Sequence, residues 1–385
     1  MKQQGFLIIS DITGYSAYLN QSELEHARDS LADLLRLLVD YTKLPLVISK
    51  LEGDAVFSYA PQGSILQAQT LIEMIEVTYV AFRKALQLMV INTTCTCNAC
   101  SNLPNLDLKF FIHFGTYSIQ NIGRYTELVG PDVNLVHRLT KNRINETLSV
   151  AAYAAYTEAV IEELDWGAIA EALQPYEQAF EDVGTVRLVV QDMHGVWDRK
   201  KDAARITVDP EDALLVLEYE FPVSPPVLWD YITKPEYRSI LMGSYSQEVQ
   251  NKRSGRTDVE TVYYCAHGDR VSVQTILDWQ PFEQYTTNET HPLPGISANY
   301  TYRIIATDTG SRLMHYWGRG IGPWLLRLLN DIVVKLVISR QMPKFAQLLK
   351  EQILADTGNL PTGQPTVVEQ RELLEAVGNS LSSSS

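Results

Sequence analysis

The pattern of apolar and polar positions divides the first half of the chain into short strand-like runs and longer helix-like stretches. Brief apolar runs, which predict strands, lie at 6–10, 44–50, 55–60, 106–115, 147–151 and 186–190. Apolar residues at helical spacing predict helices over 22–42, 64–89 and 133–142. Elements in this order form a ferredoxin-like βαββαβ core with additions, so we predict an α+β fold for residues 1–200.

A different pattern follows a charged stretch at 198–205, and we predict a linker over 201–212. One strand-like run, a short helical segment, several strand-like runs and a long helix then fill residues 213–355. This order predicts an antiparallel sheet around a long C-terminal helix. Gly, Pro and Ser dominate the end of the chain, so residues 356–385 are predicted to form a flexible tail.

Length, charge and hydropathy narrow the function classes. The 385 residues exceed one ordinary core, which agrees with two domains. The net charge of −14 opposes binding to nucleic acid, although a single nucleotide needs only a few local cations and a metal. The apolar run Trp324–Val337 is interrupted by Arg327, Asp331 and Lys335, so we predict no transmembrane segment. No signal peptide is recognisable, which favours a cytoplasmic location.

Two carboxylates follow predicted strands in positions suited to a metal. Asp11 ends the first strand and precedes a turn at Gly14, where backbone N–H groups can converge on phosphate. Asp54 follows Gly53 in a predicted hairpin, with Lys50 four residues upstream. Carboxylates on neighbouring strands can bracket two metal ions for phosphoryl chemistry. Each aspartate alone also fits an ordinary turn or capping role.

A polar pair lies on the predicted helix at 133–142. Asn134 and Arg138 are four residues apart and therefore project from one helix face, which Asp132 is predicted to cap at its start. Arginine presents a fork of donors to phosphate oxygens, and an asparagine amide can orient a ribose. A solvated helix face is the alternative for the pair taken alone.

Together these segments resemble the catalytic domain of the class III nucleotidyl cyclases. The resemblance rests on four ordered segments over about 130 residues. They are FLIISDITGY at 6–15, KLEGDA at 50–55, IHFG at 112–115 and GPDVNLVHRL at 130–139. It implies conversion of a nucleoside triphosphate to a 3′,5′-cyclic nucleotide and pyrophosphate, with two Mg²⁺ or Mn²⁺ ions per site.

The resemblance also implies residue roles. Asp11, Asp54 and the Ile12 carbonyl match the metal ligands, and Thr13 and Gly14 match positions near the triphosphate.

The resemblance implies roles for four further residues. Lys50 and Glu127 match the base-reading pair. Asn134 matches the residue that orients the ribose, and Arg138 the residue that stabilises the transition state. In the resembled family these sets come from opposite subunits, which implies a homodimer with shared sites.

Two departures from the family pattern bear on activity. Family members that prefer ATP usually pair Lys with Asp, whereas Lys50 is paired with Glu127 here; ATP remains favoured. The loop between Gly123 and Gly130, which matches the dimerisation loop of the family, is short. A catalytically silent, cyclase-like nucleotide or ligand sensor is therefore the alternative function.

Three cysteines cluster in the sequence CTCNAC. Cys97 and Cys100 have C-x-x-C spacing, and Cys95 would be a third thiolate for a structural Zn²⁺. No fourth ligand is evident, and an ordinary structural role for the cysteines is equally open.

The second half is similar to the START-like (SRPBCC) helix-grip superfamily. The similarity rests on FPVSPPVLWDYITKPEYRSIL at 221–241, and on the strand succession and terminal helix. It implies a cavity for a hydrophobic small molecule that could regulate the cyclase. Aromatic residues predicted to line the cavity are Tyr219, Tyr263, Trp279, Tyr302, Tyr316 and Trp317.

Overall fold

The computed structural model describes most of the chain as two compact units. The described residues are 2–21, 23–65, 67–92, 97–122, 125–181, 183–201, 205–267, 270–290 and 296–358. The division between the units falls between Ala203 and Ala204. The predicted linker over 201–212 stays a prediction. Of the tail predicted over 356–385, Asp356 and Thr357 belong to a helix, and the part beyond 358 lies outside the described residues.

The first unit combines one large sheet with helices. Its strands are β1 (Lys2–Thr13), β2 (Val47–Glu52), β3 (Ala55–Pro61), β4 (Asp107–Ile122), β5 (Tyr125–Val129), β6 (Tyr153–Thr157), β7 (Gln174–Phe180) and β8 (Gly184–Asp192). Its helices are α1 (Tyr15–Gln21), α2 (Leu24–Tyr41), α3 (Ala68–Asn92), α4 (Asn98–Asn102), α5 (Pro131–Leu139), α6 (Ile144–Leu148), α7 (Glu158–Glu163), α8 (Gly167–Glu171) and α9 (Met193–Lys200). The α+β prediction is confirmed.

Strand order shows why the start of the chain lies at the centre of this unit. The sheet runs β2-β3-β1-β4-β6-β8-β7, with β5 paired to β4. The first four strands have the order of a ferredoxin-like βαββαβ core, and β1 is antiparallel to both β3 and β4. β1 is therefore hydrogen-bonded along both edges, which explains why its residues 5–10 are all buried.

One face of this sheet is covered by α5. Val133, Val136 and Leu139 repeat at helical spacing and pack with Leu7 and Ile9 of β1. Side chains alternate along a strand, so Asp11 points to the same face as Leu7 and Ile9. The metal-ligand candidate and the helix that carries Asn134 and Arg138 thus share one side of the sheet.

Two local predictions for this unit are wrong. No strand forms at the predicted 147–151: residues 147 and 148 end α6, and Ser149 closes that helix with a left-handed φ of 58°. Asp132 does not cap α5; Gly130 is the N-cap, and Asp132 lies in the first turn. Its carboxylate accepts a hydrogen bond from the Thr116 N–H at 2.6 Å, because a long-range contact competes with the local cap.

The second unit is an antiparallel sheet with helices. Its strands are β9 (Leu215–Phe221), β10 (Ser246–Gln250), β11 (Val262–His267), β12 (Arg270–Gln280), β13 (Gln284–Thr290), β14 (Ser297–Thr307) and β15 (Gly310–Trp317). Its helices are α10 (Pro225–Thr233), α11 (Pro235–Met242), α12 (Trp324–Val333) and α13 (Ser339–Thr357), with a π-helical segment at Val334–Ile338. The sheet order is β10-β11-β12-β13-β14-β15-β9.

The core of this unit is aromatic, and its terminal helix docks through one stripe. Trp229 of α10 contacts the rings of Trp279 and Tyr285 at centroid distances of 4.7 and 5.7 Å. Buried residues along α13 recur at Met342, Ala346, Leu349 and Ile353, a spacing of three to four. The predicted antiparallel sheet and long C-terminal helix are present. Of the helices described, none is long and apolar enough to cross a membrane.

Candidate active site in the first unit

The two candidate metal-ligating aspartates lie together where β1 and β3 meet. Asp11 is opposite Ala55 of β3, and the Ile12 N–H donates to the Asp54 carbonyl at 2.9 Å. Burial first, and then the neighbouring Asp54 carboxylate, raise the pKa of Asp11 to about 6. Burial also raises the pKa of Asp54, opposed by a backbone hydrogen bond. Two partly buried carboxylates that repel each other are an arrangement that a hard divalent cation would stabilise.

Lys109 is a third charged member of this site and was not predicted from the sequence. It lies opposite Asp11 on β4, and its charge opposes the rise in the Asp11 pKa. Burial lowers the pKa of Lys109, and Asp11 and Asp107 oppose that effect. A lysine directly before the apolar run FFI at 110–112 was the available signal. The register between β1 and β4 was needed to interpret it.

The turn after β1 has the geometry of a close approach. Gly14 has a φ of +88°, and a Cβ there would lie 3.0 Å from the Asn105 carbonyl oxygen. Only glycine fits both conditions without strain. The Thr13 hydroxyl is buried and has no hydrogen-bond partner among the described residues. An unpartnered hydroxyl two residues after Asp11 is a further candidate oxygen for a cation or phosphate.

The base-reading candidates also meet. The Lys50 ammonium lies 3.6 Å from the Glu127 carboxylate and 2.9 Å from Glu52. Burial lowers the pKa of Lys50, but hydrogen bonds and charge interactions with Glu52 and Glu127 outweigh it, so the net pKa is raised. The β2–β3 hairpin and the β4–β5 hairpin thus bring a donor and an acceptor side by side.

Glu52 and His137 extend this pair and were not predicted. The His137 Nδ1 atom lies 3.3 Å from Glu52, and its ring packs edge-on to Phe57 at 4.9 Å. Burial lowers the pKa of His137, although the Glu52 carboxylate opposes this. His137 stands next to Arg138 in sequence but on another side of α5, so spacing alone did not single it out.

Asn134 and Arg138 are carried by α5 as the spacing predicts. Asn134 is exposed, and Arg138 donates a hydrogen bond to the Glu181 carbonyl at 2.6 Å. Glu181 follows β7, which lies at the opposite edge of the sheet from β2. The fold therefore pairs Asp11 with Asp54 and Lys50 with Glu127, whereas the hydrogen bond of Arg138 points toward the far edge.

The IHFG segment has a structural explanation. A Cβ on Gly115 would lie 2.5 Å from the Asp132 side chain, so only glycine leaves room for this carboxylate. His113 donates or accepts through Nδ1 to the Thr157 hydroxyl at 2.9 Å, and its Nε2 lies 3.4 Å from Asp132. Burial lowers the pKa of His113, with Asp132 opposing, so the ring is neutral at pH 7. These contacts fix α5 to β4.

The cysteine cluster is only partly within the described residues, because Cys95 lies outside them. Cys97 is the N-cap of α4, and its sulfur accepts a hydrogen bond from the Cys100 N–H at 3.5 Å. Glu23 accepts a hydrogen bond from the Ala99 N–H at 3.0 Å. In the described part of the chain, no group of three or more His, Cys, Asp or Glu side chains is arranged to hold a metal ion. The zinc site stays a prediction.

The interior of the second unit contains a polar cluster besides its aromatic residues. Arg238 is fully buried, lies 4.0 Å from Glu289 and stacks over the Tyr263 ring at 4.5 Å. Burial raises the pKa of Glu289, and the Arg238 charge opposes this. The ring of His315 stacks on Tyr302 at 4.1 Å, and burial lowers its pKa. The predicted aromatic lining is therefore interrupted by a buried ion pair.

Comparisons with known proteins identify a sequence relative and solved structures that resemble part of the chain. The sequence model of the family DUF2652, which is described as a protein of unknown function, matches residues 31–148. Rv2561/Rv2562, an uncharacterised protein of Mycobacterium tuberculosis, is 33% identical over 156 residues, which cover 40% of this chain and 69% of that protein.

Solved structures that resemble the chain over about half its length include nucleotidyl cyclases. The guanylyl cyclase Cya2 is 14% identical with a TM-score of 0.37, covering 49% of this chain and 92% of that one. The adenylyl cyclase CyaB from P. aeruginosa is 15% identical with a TM-score of 0.35, covering 50% and 95%. Likenesses this low transfer no activity.

Proposed function

The chain belongs to the same family as the mycobacterial protein Rv2561/Rv2562, and we propose that its first unit is a metal-dependent nucleotidyl cyclase. The reaction is attack of the ribose 3′ oxygen on the α-phosphorus, with pyrophosphate leaving and the 3′ proton passing to solvent. The observation that carries the proposal is the meeting of Asp11 with Asp54 in the sheet that also pairs Lys50 with Glu127. A merely structural hairpin has no need for two partly buried carboxylates that repel each other.

The carboxylates of Asp11 and Asp54, with the Ile12 carbonyl, would hold Mg²⁺ or Mn²⁺. When bound, these ions supply charge neutralisation at the phosphates and a lower pKa for the 3′ hydroxyl. Thr13 and Gly14 would contact the triphosphate, since the turn after β1 lets backbone approach closely. Lys109 balances part of the carboxylate charge when no nucleotide is bound.

The base would be recognised by Lys50 and Glu127. The ammonium of Lys50 donates to a ring nitrogen, and the carboxylate of Glu127 accepts from an exocyclic amine. This donor and acceptor order fits the Watson–Crick edge of adenine, so ATP is the favoured substrate. Glu52 keeps Lys50 charged and oriented at 2.9 Å.

Asn134 and Arg138 would act on the α-phosphate from a second copy of the chain. Asn134 orients the ribose, and Arg138 adds fixed positive charge where negative charge develops. The hydrogen bond of Arg138 toward the β7 edge, away from the β2 edge, agrees with a site shared between two subunits. A symmetric dimer then contains two such sites.

Product analysis tests the activity. Purified full-length protein is incubated with Mn²⁺ or Mg²⁺ and each of ATP, GTP, CTP and UTP, and products are separated by mass. We expect cyclic AMP. Asp54→Asn should abolish it, and Arg138→Ala should lower kcat by about a hundredfold to a thousandfold. Arg143→Ala, which changes an exposed arginine just after α5, is the matched control and should keep full activity.

Complementation tests the shared site. Mixing the inactive Asp54→Asn and Arg138→Ala proteins should restore about a quarter of wild-type activity, because half of the dimers are mixed and each has one intact site. No recovery, with mixed dimers shown to form, would contradict shared sites. A chain that binds ATP and Mn²⁺ but makes no cyclic product would instead be a catalytically silent nucleotide sensor. The Arg138 contact with Glu181, which already occupies part of the guanidinium, favours that second candidate.

The second unit would regulate the first as a START-like pocket for a hydrophobic small molecule. Its support is the antiparallel sheet with a long terminal helix and the aromatic interior around Trp229, Trp279 and Tyr285. Binding of an environment-sensitive apolar dye, displaced by candidate lipids while cyclase activity is followed, tests this regulation. Dye binding that Trp229→Ala leaves unchanged would contradict it.

A further inference from the structure

Helix α12 and the π-helical segment that follows it, Val334–Ile338, expose an apolar surface. Trp324 is 72% exposed, and Leu328 and Leu336 are 53% and 55% exposed. The apolar residues that share this outward surface, named here the α12 surface, are Trp324, Leu325, Leu328, Leu329, Ile332 and Leu336. An exposed apolar patch this continuous marks an interaction site.

The inward side of α12 and the π-helical segment is narrow and partly polar. Asn330 and Val334 are buried, and Leu326 is half-buried between them and the start of the helix. These positions recur every four residues and form a single stripe. The helix therefore turns its smaller face toward the rest of the unit and its larger apolar face outward, the reverse of an ordinary core helix.

Positive charge accompanies the apolar surface. Between residues 319 and 350 the chain has six Lys or Arg residues and one acidic residue, although its overall net charge is −14. Arg327 of α12 and Lys335 of the π-helical segment are both exposed, and Asp331 lies four residues from each. Long basic side chains on the flank of an apolar helix face can reach anionic headgroups while their stems lie on apolar surface.

We propose that the α12 surface docks on an anionic lipid bilayer, with the helix lying in the plane of the interface. The exposed tryptophan at the start of the helix, the leucine-rich face and the cationic flank together match the chemistry of that interface. A second copy is a poorer occupant, because a symmetric contact through α12 would bring the two cationic segments together. Docking is independent of the cyclase reaction and does not rest on it.

Vesicle co-sedimentation of the full chain tests the docking. The vesicles contain phosphatidylcholine alone or with about 30% phosphatidylserine, at about 0.1 M salt. We expect at least tenfold stronger binding to the anionic vesicles. Leu328→Gln combined with Leu336→Gln should weaken that binding at least tenfold. Arg327→Gln and Lys335→Gln should each weaken it about fivefold, an effect that fades at about 0.5 M salt.

A matched variant separates docking from general loss of apolar surface. Leu348 lies on α13 with 52% exposure, outside the α12 surface, so Leu348→Gln should bind vesicles as the wild type does. All the substituted side chains are exposed, so folding should survive, and circular dichroism checks this. The proposal is overturned if the wild type does not bind anionic vesicles, or if the double leucine variant binds them unchanged. It is also overturned if light scattering shows a dimeric wild type and a monomeric double leucine variant, and the dimer binds no vesicles. In that case the α12 surface contacts a second copy of the chain.

Discussion

Removing the charge of Asp11 should stabilise the chain when no divalent cation is bound. Burial and Asp54 raise the pKa of Asp11 from 3.8 to about 6. At about 1.4 kcal/mol per pH unit, ionising this carboxyl in the folded chain costs about 3 kcal/mol above pH 6. Asp11→Asn removes that cost, so in EDTA at pH 8 the variant should be about 2–3 kcal/mol more stable than the wild type.

The sign of the pH dependence follows from the direction of the shift. Between pH 6 and pH 4 the folded chain binds more protons at Asp11 than the unfolded chain does. The stability of the wild type therefore falls as pH rises through this window, and the advantage of Asp11→Asn grows in parallel. Below pH 4 both states are protonated, and the two proteins should be equally stable.

Urea unfolding at several pH values measures this difference. Hydrogen exchange of peptides from β1 and β3 assigns the transition to the first unit. Asp40→Asn, which changes an exposed carboxylate at the end of α2, is the matched control and should shift stability by less than about 0.5 kcal/mol. Added Mg²⁺ should stabilise the wild type more than Asp11→Asn. Equal or lower stability of Asp11→Asn at pH 8 in EDTA would refute the electrostatic reasoning.

Three further predictions concern contacts elsewhere in the chain. Gly115→Ala should lower the free energy of unfolding by about 1–3 kcal/mol, because its Cβ would overlap Asp132. Adding Asp132→Ala to the same chain should restore part of that stability, as measured by urea unfolding. Arg238→Met should lower the free energy of unfolding by about 3–5 kcal/mol, because Glu289 loses its buried cation. If the double variant with Glu289→Leu recovers none of this stability, loss of the ion pair is not the cause. Cys97→Ser should change the stability of the zinc-free chain by less than about 0.5 kcal/mol, because serine also serves as an N-cap. Loss of bound zinc from that variant would support the predicted cysteine site instead.

Local patterns were enough to predict the main elements of the first unit. The runs at 6–10 and 55–60 lie in β1 and β3, and the run at 44–50 overlaps β2, which begins at Val47. Helical spacing predicted α2, α3 and α5 to within a few residues. Glycine at the 53 position predicted the β2–β3 turn, where its φ is +68°. Such patterns are readable because strand alternation and helical spacing are local properties of the chain.

The sequence predicted contacts between distant segments less completely. The motif order grouped Asp11 with Asp54 and Lys50 with Glu127, but it did not point to Lys109 or His137. Lys109 joins the site through the β1–β4 register, and His137 through the packing of α5 near β2. Asp132 was misread as a cap because its partner, Thr116, comes from a separate strand.

The sequence by itself indicated the α+β character, the order of most strands and helices of the first unit, and four polar residues of the candidate site, Asp11, Asp54, Lys50 and Glu127. Only the tertiary structure decided which charges face one another, how far burial raises the pKa of Asp11, and that α12 turns its apolar side outward. The physical reason is that helical and strand periodicity is a property of neighbouring residues. Burial and charge pairing depend instead on strand register and on which face of a helix is covered.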